Sequence, residues 1–218
     1  MKLLIIGGTG GTGLQLINQA LEKGHSLTAL VRNPEKIKIV RQNLNVIKGN
    51  VLDFEKVQEA MAGQDAVLSA LGHKRFFIKT NILSEGTKNI INAMEKYHVN
   101  RFICITSLGI NDSRFKLGLY HTLFVIPVII FFYFMDKAKQ EKLIRGSKLD
   151  WTIVRPGQLI PQWIVNLFHG KQLGKYKHGA NVGNYIFTKM VSRGDVADFM
   201  LSQLNDKTYL HKTPGIAY

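Results

Sequence analysis

The sequence predicts an α/β fold in which a doubly wound parallel sheet carries helices on both faces. Three observations predict it. Short apolar runs alternate with amphipathic stretches, a glycine-rich turn follows the first run, and 218 residues suffice to bury a sizeable core. Because neither a repeat nor a linker interrupts this alternation, we expect residues 1–218 to form a single domain.

Short apolar runs predict the strands, since a parallel sheet covered on both faces buries nearly every strand residue. Parallel neighbours also require crossover connections, which the intervening amphipathic stretches supply. The predicted strands are Lys2–Ile6, Ser26–Val31, Val46–Ile47, Ala66–Ala70, Phe102–Thr106 and Trp151–Val154.

Apolar residues at helical spacing, bounded by capping residues, predict the helices. They are Thr12–Lys23, a short helix opened by Asn33 and Pro34, a helix capped by Asp53 and stopped by Gly63, Thr80–His98, and a late helix capped by Asp195. The stretch 156–190 is the least periodic. We expect it to be irregular structure on the substrate side, over the carboxyl ends of the strands.

A glycine-rich segment from Gly7 to Gly13 joins the first strand to the first helix. Gly7 permits a tight turn, Gly10 lets the backbone approach a diphosphate, and Gly13 lets helix and strand pack closely. The helix N-terminus then faces the phosphates. A purely structural turn is the alternative, but the position at the first strand–helix junction favours a dinucleotide site. The predicted contacts in this segment are Gly7, Thr9, Gly10, Gly11, Thr12 and Gly13.

The end of the second strand predicts which dinucleotide binds. An NAD site usually places a carboxylate there, about 20 residues beyond the glycines. This chain instead reads Leu30-Val31-Arg32-Asn33, and the planar cation of Arg32 suits a 2′-phosphate. We therefore expect NADP(H) as the cofactor.

Further motifs extend this pattern along nearly the whole chain, and they are Gly49-Asn50-Val51-Leu52-Asp53, residues 62–67 (Ala-Gly-Gln-Asp-Ala-Val), residues 85–90 (Glu-Gly-Thr-Lys-Asn-Ile), Thr106-Ser107, residues 149–157 (Leu-Asp-Trp-Thr-Ile-Val-Arg-Pro-Gly) and residues 193–197 (Arg-Gly-Asp-Val-Ala). With these motifs the chain resembles an atypical short-chain dehydrogenase/reductase with a Rossmann fold. It is similar to the NAD(P)H-binding group that includes biliverdin-IXβ/flavin reductases and NmrA-like proteins.

The resemblance implies further cofactor contacts. Asn50 and Val51 are expected beside the adenine, and Ala70, Leu71 and Gly72 beside the ribose. Four more residues are expected near the nicotinamide, namely Thr106, Ser107, Pro156 and Gly157. The biliverdin reductases carry a histidine where this chain has Gly157.

Tyr133 and Lys137 match the Tyr-x-x-x-Lys spacing of the wider superfamily. On a helix this spacing places both side chains on one face, where the ammonium stabilises a tyrosinate. Tyr133 is then a candidate proton donor, Ser107 a hydrogen-bond donor to the same substrate oxygen, and Lys137 also a ligand of the nicotinamide ribose. The alternative is a packing tyrosine and a solvated lysine.

The apolar segment 117–135 lies between the fifth and sixth strands, near the expected pocket. From Leu119 to Met135 it leaves three interpretations open. It lines the substrate pocket, it buries against a second subunit in a homodimer, or it contacts a membrane surface through its basic flanks.

Composition narrows the partners. The net charge is +14, but the basic residues are scattered and show no nucleic-acid-binding motif, so we expect no nucleic acid. The histidines lack metal-ligand spacing, so we expect no metal. Without a secretory signal at the N-terminus, the expected location is the cytoplasm. The predicted function is NADPH-dependent reduction of a small flat or apolar acceptor such as a flavin, quinone or carbonyl compound. A non-catalytic redox sensor of the NmrA-like kind is the alternative.

Overall fold

A mostly parallel sheet forms the centre of this computed structural model, which describes residues 1–73, 76–161, 164 and 174–218. The sheet has eight strands in the order β3-β2-β1-β4-β5-β6-β10-β8, and β7 pairs with β9 outside it. The strands are β1 (Lys2–Ile6), β2 (Ser26–Val31), β3 (Leu44–Lys48), β4 (Ala66–Ser69), β5 (Arg101–Ile105), β6 (Asp150–Pro156), β7 (Gln158–Ile160), β8 (Lys177–Gly179), β9 (Met190–Ser192) and β10 (Gly215–Ala217).

Helices cover both faces of the sheet. They are α1 (Gly11–Glu22), α2 (Phe54–Met61), α3 (Ile82–Lys96), α4 (Ile126–Val128), α5 (Phe131–Gly146) and α6 (Arg193–Ser202), with 3₁₀ turns at Pro34–Lys36 and Asn111–Ser113 and a π-helical turn at His121–Val125. The doubly wound α/β fold predicted from the sequence is therefore confirmed.

Alternation along β1 divides the core into two layers. Leu3 and Ile5 face α1 and α6, whereas Leu4 and Ile6 face α2 and α3. All four side chains are at most 1% exposed. This burial on both faces explains why each central strand is a continuous apolar run.

The site predicted from the sequence lies where the winding direction changes. Strand β1 pairs with β2 on one side and β4 on the other, both in parallel. The chain runs outward from β1 to β3 and then returns to β4, so a crevice opens at the carboxyl ends of β1 and β4. Ligands of open α/β sheets bind at this position.

Two expectations for the C-terminal part were wrong. Asp195 is not the N-cap of the last helix, because Ser192 occupies that position and its Oγ accepts a hydrogen bond from the Asp195 amide at 2.9 Å. The stretch 156–190 is not wholly irregular, because β7, β8 and the start of β9 lie in it. Residues 162–163 and 165–173 of this stretch lie outside the described residues.

The apolar segment is helical but sharply bent. In the described part of the chain, no single helix has the length and apolar character needed to cross a membrane. His121–Val128 and Phe131–Gly146 reach that length and character only together, with a bend of 96° between them. The inner side of the segment packs against Leu108 and Ile110, beyond the end of β5.

Candidate active site

The turn after β1 can be built only with glycine at two positions. Gly7 has a φ of +81°, and a Cβ there would lie 2.5 Å from the carbonyl oxygen of Ala70 at the end of β4. A Cβ on Gly13 would lie 2.1 Å from the carbonyl oxygen of Gly7. The Gly10 amide closes the turn by donating to the same Gly7 oxygen at 3.0 Å. The turn therefore holds α1 against β1 and β4 at the crevice.

The N-terminus of α1 is open to an anion. Gly10 is its N-cap and supplies no side-chain cap, and the first turn carries no acidic residue. The amides of the first helical turn have no acceptor within the helix. Gly10 and Gly11 are both exposed. Donors and the positive end of the helix dipole thus face the position where a diphosphate binds in this kind of fold.

An arginine from the far end of the chain lies over this helix end. A Cβ on Gly11 would stand 2.6 Å from Cδ and 2.8 Å from Nε of Arg193. Gly11 has no positive φ, and its missing side chain lets Arg193 lie directly against the start of α1. Arg193 reaches this place because α6 packs on α1, where Gln19 Nε2 donates to the Gly194 carbonyl at 3.0 Å. Its guanidinium has no ion pair or hydrogen bond with any residue that the structure describes.

Sequence reasoning did not identify Arg193 as a site residue. The available signal was Gly11 itself, a second consecutive glycine that none of the three roles in the turn explains. Only the packing of α6 on α1 shows which side chain uses that space.

Among the residues predicted to contact the ribose and the adenine, few have side chains that are free to bind a ligand. Arg32 follows β2, is exposed and forms no ion pair with the described residues. Asn50 Oδ1 accepts from the Leu52 amide at 3.2 Å, so this side chain supports its own turn. Val51 and Leu71 are 7% and 9% exposed and pack against Gly86. Of this group, Arg32 is the residue best placed to meet a ligand.

Tyr133 and Lys137 meet the ribose-side segment. A Cβ on Gly72 would lie 3.4 Å from the Tyr133 hydroxyl, so this backbone position is in van der Waals reach of the phenol. The ring of Tyr133 contacts His73 and Phe76 edge to face, with centroids 4.9 and 5.5 Å apart. Lys137 Nζ lies 5.2 Å from the centre of the Tyr133 ring. The structure therefore brings Tyr133, Lys137 and Gly72 together.

The stem of Lys137 is buried, but its Nζ is not among the fully buried polar atoms that lack a partner in the described residues. The residue is 3% exposed and forms no hydrogen bond or ion pair with the described residues. The ammonium thus reaches the crevice at the end of a buried stem, with its donors open to a ligand. A bound ribose or substrate hydroxyl is an acceptor for these donors.

Buried polar contacts fix α5 and thereby the two candidate catalysts. Asp136 of α5 is 1% exposed and caps the N-terminus of α3. Its carboxylate accepts hydrogen bonds from the amides of Leu83 and Ser84 at 2.9 and 3.1 Å. One turn further on, Gln140 Nε2 donates to Thr87 Oγ1 at 2.9 Å. Because these side chains recur at helical spacing, one face of α5 is locked onto α3.

The residue after Gln140 on α5, Glu141, forms a buried ion pair. Glu141 accepts from Arg155 at 2.9 Å through Nε and at 2.6 Å through Nη2, and both residues are at most 2% exposed. Thr106 Oγ1 donates to the same carboxylate at 2.7 Å, so its hydroxyl faces Glu141. Arg155 also binds Asp112, and this hydrogen bond lowers the pKa of the Asp112 carboxyl to about 2.

Ser107 lies next to Pro156 at the carboxyl ends of β5 and β6. The amide that follows it, from Leu108, donates to the Pro156 carbonyl at 3.0 Å. The Ser107 hydroxyl donates to the Leu108 carbonyl at 2.8 Å and is partly exposed. A Cβ on Gly157 would lie 2.3 Å from the Lys189 carbonyl oxygen, so the backbone leaves no room for a side chain at this position.

The central β1, the glycine turn against β4 and the uncapped helix α1 together define a dinucleotide-binding Rossmann domain. Comparison with known proteins gives the family. The model of the family described as NAD(P)H-binding matches residues 7–207. The chain belongs to this family.

Individual relatives are distant. Photosystem II assembly factor Ycf39 of Synechocystis is 25% identical over 96% of this chain. This chain spans 61% of the length of that relative and 59% of another curated one.

Two solved structures share the fold. ChuY, an anaerobillin reductase from Escherichia coli O157:H7, has a TM-score of 0.77 at 20% identity and covers 100% of this chain and 97% of its own. A short-chain dehydrogenase/reductase from Veillonella parvula in complex with NADP has a TM-score of 0.78 at 17% identity, covering 100% of this chain and 94% of its own.

Proposed function

We propose that the protein is a cytoplasmic NADPH-dependent reductase of a small flat or apolar acceptor, such as a flavin, a quinone or a carbonyl compound. The observation that carries the proposal is the cluster of Tyr133, Lys137 and Gly72 in a domain of the NAD(P)H-binding family. The same cluster favours an enzyme over a redox sensor, because a sensor needs no proton donor beside its cofactor.

The glycine turn fits the cofactor, since Gly7 and Gly13 let the backbone fold tightly against β4 and α1, and the exposed Gly10 leaves room for a diphosphate beside the first-turn amides of α1. NADPH supplies a hydride when it is bound. Lys137 binds ribose hydroxyls through its ammonium, which has no other polar partner among the described residues. Ser107 donates a hydrogen bond to the acceptor oxygen at the carboxyl end of β5.

Tyr133 is the proton donor in this proposal. For a carbonyl acceptor, the hydride forms the new C–H bond while the Tyr133 hydroxyl gives its proton to the oxygen, yielding an alcohol and a phenolate. Lys137 stabilises the phenolate, which water reprotonates. The aromatic rings of Phe76 and Tyr133 present an apolar surface to a flat acceptor.

Two arginines should affect cofactor binding differently. Arg32→Ala should weaken NADPH binding by roughly tenfold or more and leave NADH binding unchanged, because a charge-assisted bond to the 2′-phosphate contributes about 1.5–3 kcal/mol. Arg193→Ala should weaken NADPH and NADH equally, since the diphosphate is common to both. Fluorescence titration with each cofactor measures these affinities.

Arg41→Ala is the matched control, because it removes an exposed arginine elsewhere in the chain. It should leave both affinities unchanged. An Arg32→Ala protein that keeps its preference for NADPH contradicts the 2′-phosphate contact. Equal affinities in Arg193→Ala and the unmodified chain contradict the diphosphate contact.

Removing the phenol hydroxyl tests the catalytic proposal. Tyr133→Phe should lower kcat with a carbonyl acceptor by roughly 10²- to 10⁴-fold, the usual contribution of a positioned acid. NADPH affinity should stay the same, because the ring and Lys137 remain. Steady-state NADPH oxidation gives kcat, and the cofactor titration gives the affinity.

The control is Tyr97→Phe, at the C-terminal end of α3, which should leave both quantities unchanged. An unchanged kcat in Tyr133→Phe assigns the proton to water and contradicts the donor role. A protein that binds NADPH but does not oxidise it when any flavin, quinone or aromatic ketone is supplied contradicts the reductase. The redox-sensor alternative then takes its place.

A further inference from the structure

The bent apolar segment turns large side chains outward into solvent. Six of them, between 47% and 70% exposed, form what we call the apolar surface: Leu119, Tyr120, Leu123, Phe124, Val128 and Phe131. A solvated helix normally carries polar residues on its outer side. Contiguous exposed apolar area of this kind marks an interaction site in a folded protein.

The apolar surface lies on helices whose other side is packed against the domain. On the inner side of the same helices, Ile126, Ile130 and Phe134 pack against Leu108 and Leu117. The segment is thus apolar on both sides, and the inner side already fills the local core. The outer aromatic side chains contact only near neighbours in sequence among the described residues, Tyr120 with Phe124 and Phe131 with Phe132, and stay exposed.

A second loop extends the apolar surface. Tyr185, Ile186 and Phe187 are 63–70% exposed. The Leu119 amide donates to the Ile186 carbonyl at 3.1 Å, which places this loop beside the start of the π-helical turn. Two segments distant in sequence therefore contribute to one outward-facing apolar area.

Charge around the apolar surface has one sign. No acidic residue lies between Arg114 and Met135. The flanking carboxylates are engaged, Asp112 with Arg155 and Asp136 with the N-terminus of α3. Exposed cations stand on both sides, at Arg114 before the segment and at Lys139 and Lys142 on α5. The chain on either side of the apolar surface is therefore cationic where it is exposed.

This charge distribution distinguishes two occupants. In a symmetric dimer the same patch meets itself, so the cations of one copy face those of the other. An anionic lipid bilayer offers hydrocarbon for the aromatic and aliphatic side chains and phosphates for the lysines. The 96° bend suits helices that lie in the interface rather than cross it.

We propose that the apolar surface docks the protein on the headgroup layer of an anionic membrane, with Tyr120, Phe124 and Val128 inserted and the flanking cations against lipid phosphates. This inference does not depend on the reductase activity. It does orient the candidate catalytic tyrosine, because Tyr133 lies on α5 two residues after Phe131 of the apolar surface.

Co-sedimentation of the full chain with vesicles tests the proposal. We expect binding to vesicles of phosphatidylcholine with phosphatidylglycerol, at least tenfold weaker binding to phosphatidylcholine alone, and a clear loss when salt rises from about 0.05 M to about 0.5 M, as the Debye length shortens. The absence of binding to the anionic vesicles at low salt overturns the proposal.

Matched variants locate the docking surface. The double variant Phe124→Ser with Val128→Ser should lower vesicle binding at least tenfold, whereas Val40→Ser, at a 92% exposed position elsewhere, should not change it. The double variant Lys139→Gln with Lys142→Gln should reduce the preference for anionic lipid without altering the apolar surface. This variant still tests the proposal if the serine variant does not fold.

Sedimentation velocity supplies the remaining outcome. If the chain forms a dimer that the serine variant dissociates, and anionic vesicles do not bind it, a second copy is the occupant and the membrane proposal is wrong. Equal vesicle binding by the serine variant and the unmodified chain also overturns it.

Discussion

Replacing Glu141 by glutamine should lower the free energy of unfolding by about 3–5 kcal/mol, the typical cost of removing one partner from a buried ion pair. Arg155 is 2% exposed and loses its bidentate partner, while Asp112, its second partner, is 62% exposed and well solvated. Thr106 and Arg155 must also share the single acceptor oxygen that a glutamine amide offers. Urea denaturation followed by circular dichroism measures the loss.

The control is Glu59→Gln, which removes a surface pair with Lys56 at 2.7 Å. That pair is solvated, so we expect no measurable change in stability. A small effect of Glu141→Gln, equal to that of the control, contradicts the structural role assigned to the buried pair. Because Glu141 lies one turn after Lys137 on α5, we also expect weaker NADPH oxidation in the folded variant.

The central sheet could be predicted from the sequence because each buried strand is a continuous apolar run. The short strands β8 and β10 could not. Strand β8 reads Lys-His-Gly, and β10 has only the three residues Gly215–Ala217. Their pairing depends on β6 and on each other, so no local pattern indicates it. Tertiary contacts rather than local propensity define them.

The last helix shows an error that the sequence itself could have corrected. Ser192 and Asp195 have the spacing of a capping box, in which the third helical residue reaches back to the N-cap. In the structure Asp195 Oδ2 accepts from Ser192 Oγ at 2.6 Å, whereas the Ser192 amide donates to the Tyr218 hydroxyl at 3.2 Å. Taking Asp195 as the cap placed the helix start three residues late.

Within the candidate site, the sequence predicted residues that belong to short local motifs, but it did not predict residues that depend on contacts distant in sequence. The glycine turn and the Tyr133–Lys137 pair are each contained in a few consecutive residues, and both lie at the carboxyl rim of the sheet. Arg193 and Glu141 act through partners far along the chain, and no spacing rule connects them. The apolar segment remained ambiguous because both of its sides are apolar, and only the packing of its inner side shows which residues face outward.

Adding a methyl group at Gly13 should weaken NADPH binding at least tenfold and destabilise the fold. The new Cβ would lie 2.1 Å from the Gly7 carbonyl oxygen, and neither the turn nor α1 can move without displacing the first-turn amides. Overpacking of this kind costs about 1–3 kcal/mol, which corresponds to roughly 5- to 150-fold in an equilibrium constant. Fluorescence titration with NADPH, at a temperature where circular dichroism shows a folded chain, separates binding from unfolding.

A graded series makes this prediction specific to the turn. Gly11→Ala meets only the flexible side chain of Arg193, so its effect on NADPH affinity should be smaller than that of Gly13→Ala. Gly146→Ala, at the last position of α5, meets no atom within 4 Å and should leave affinity unchanged. Since the three substitutions add the same atom, their order depends on what surrounds each glycine. Gly13→Ala binding NADPH as tightly as Gly146→Ala would show that the cofactor does not depend on this turn.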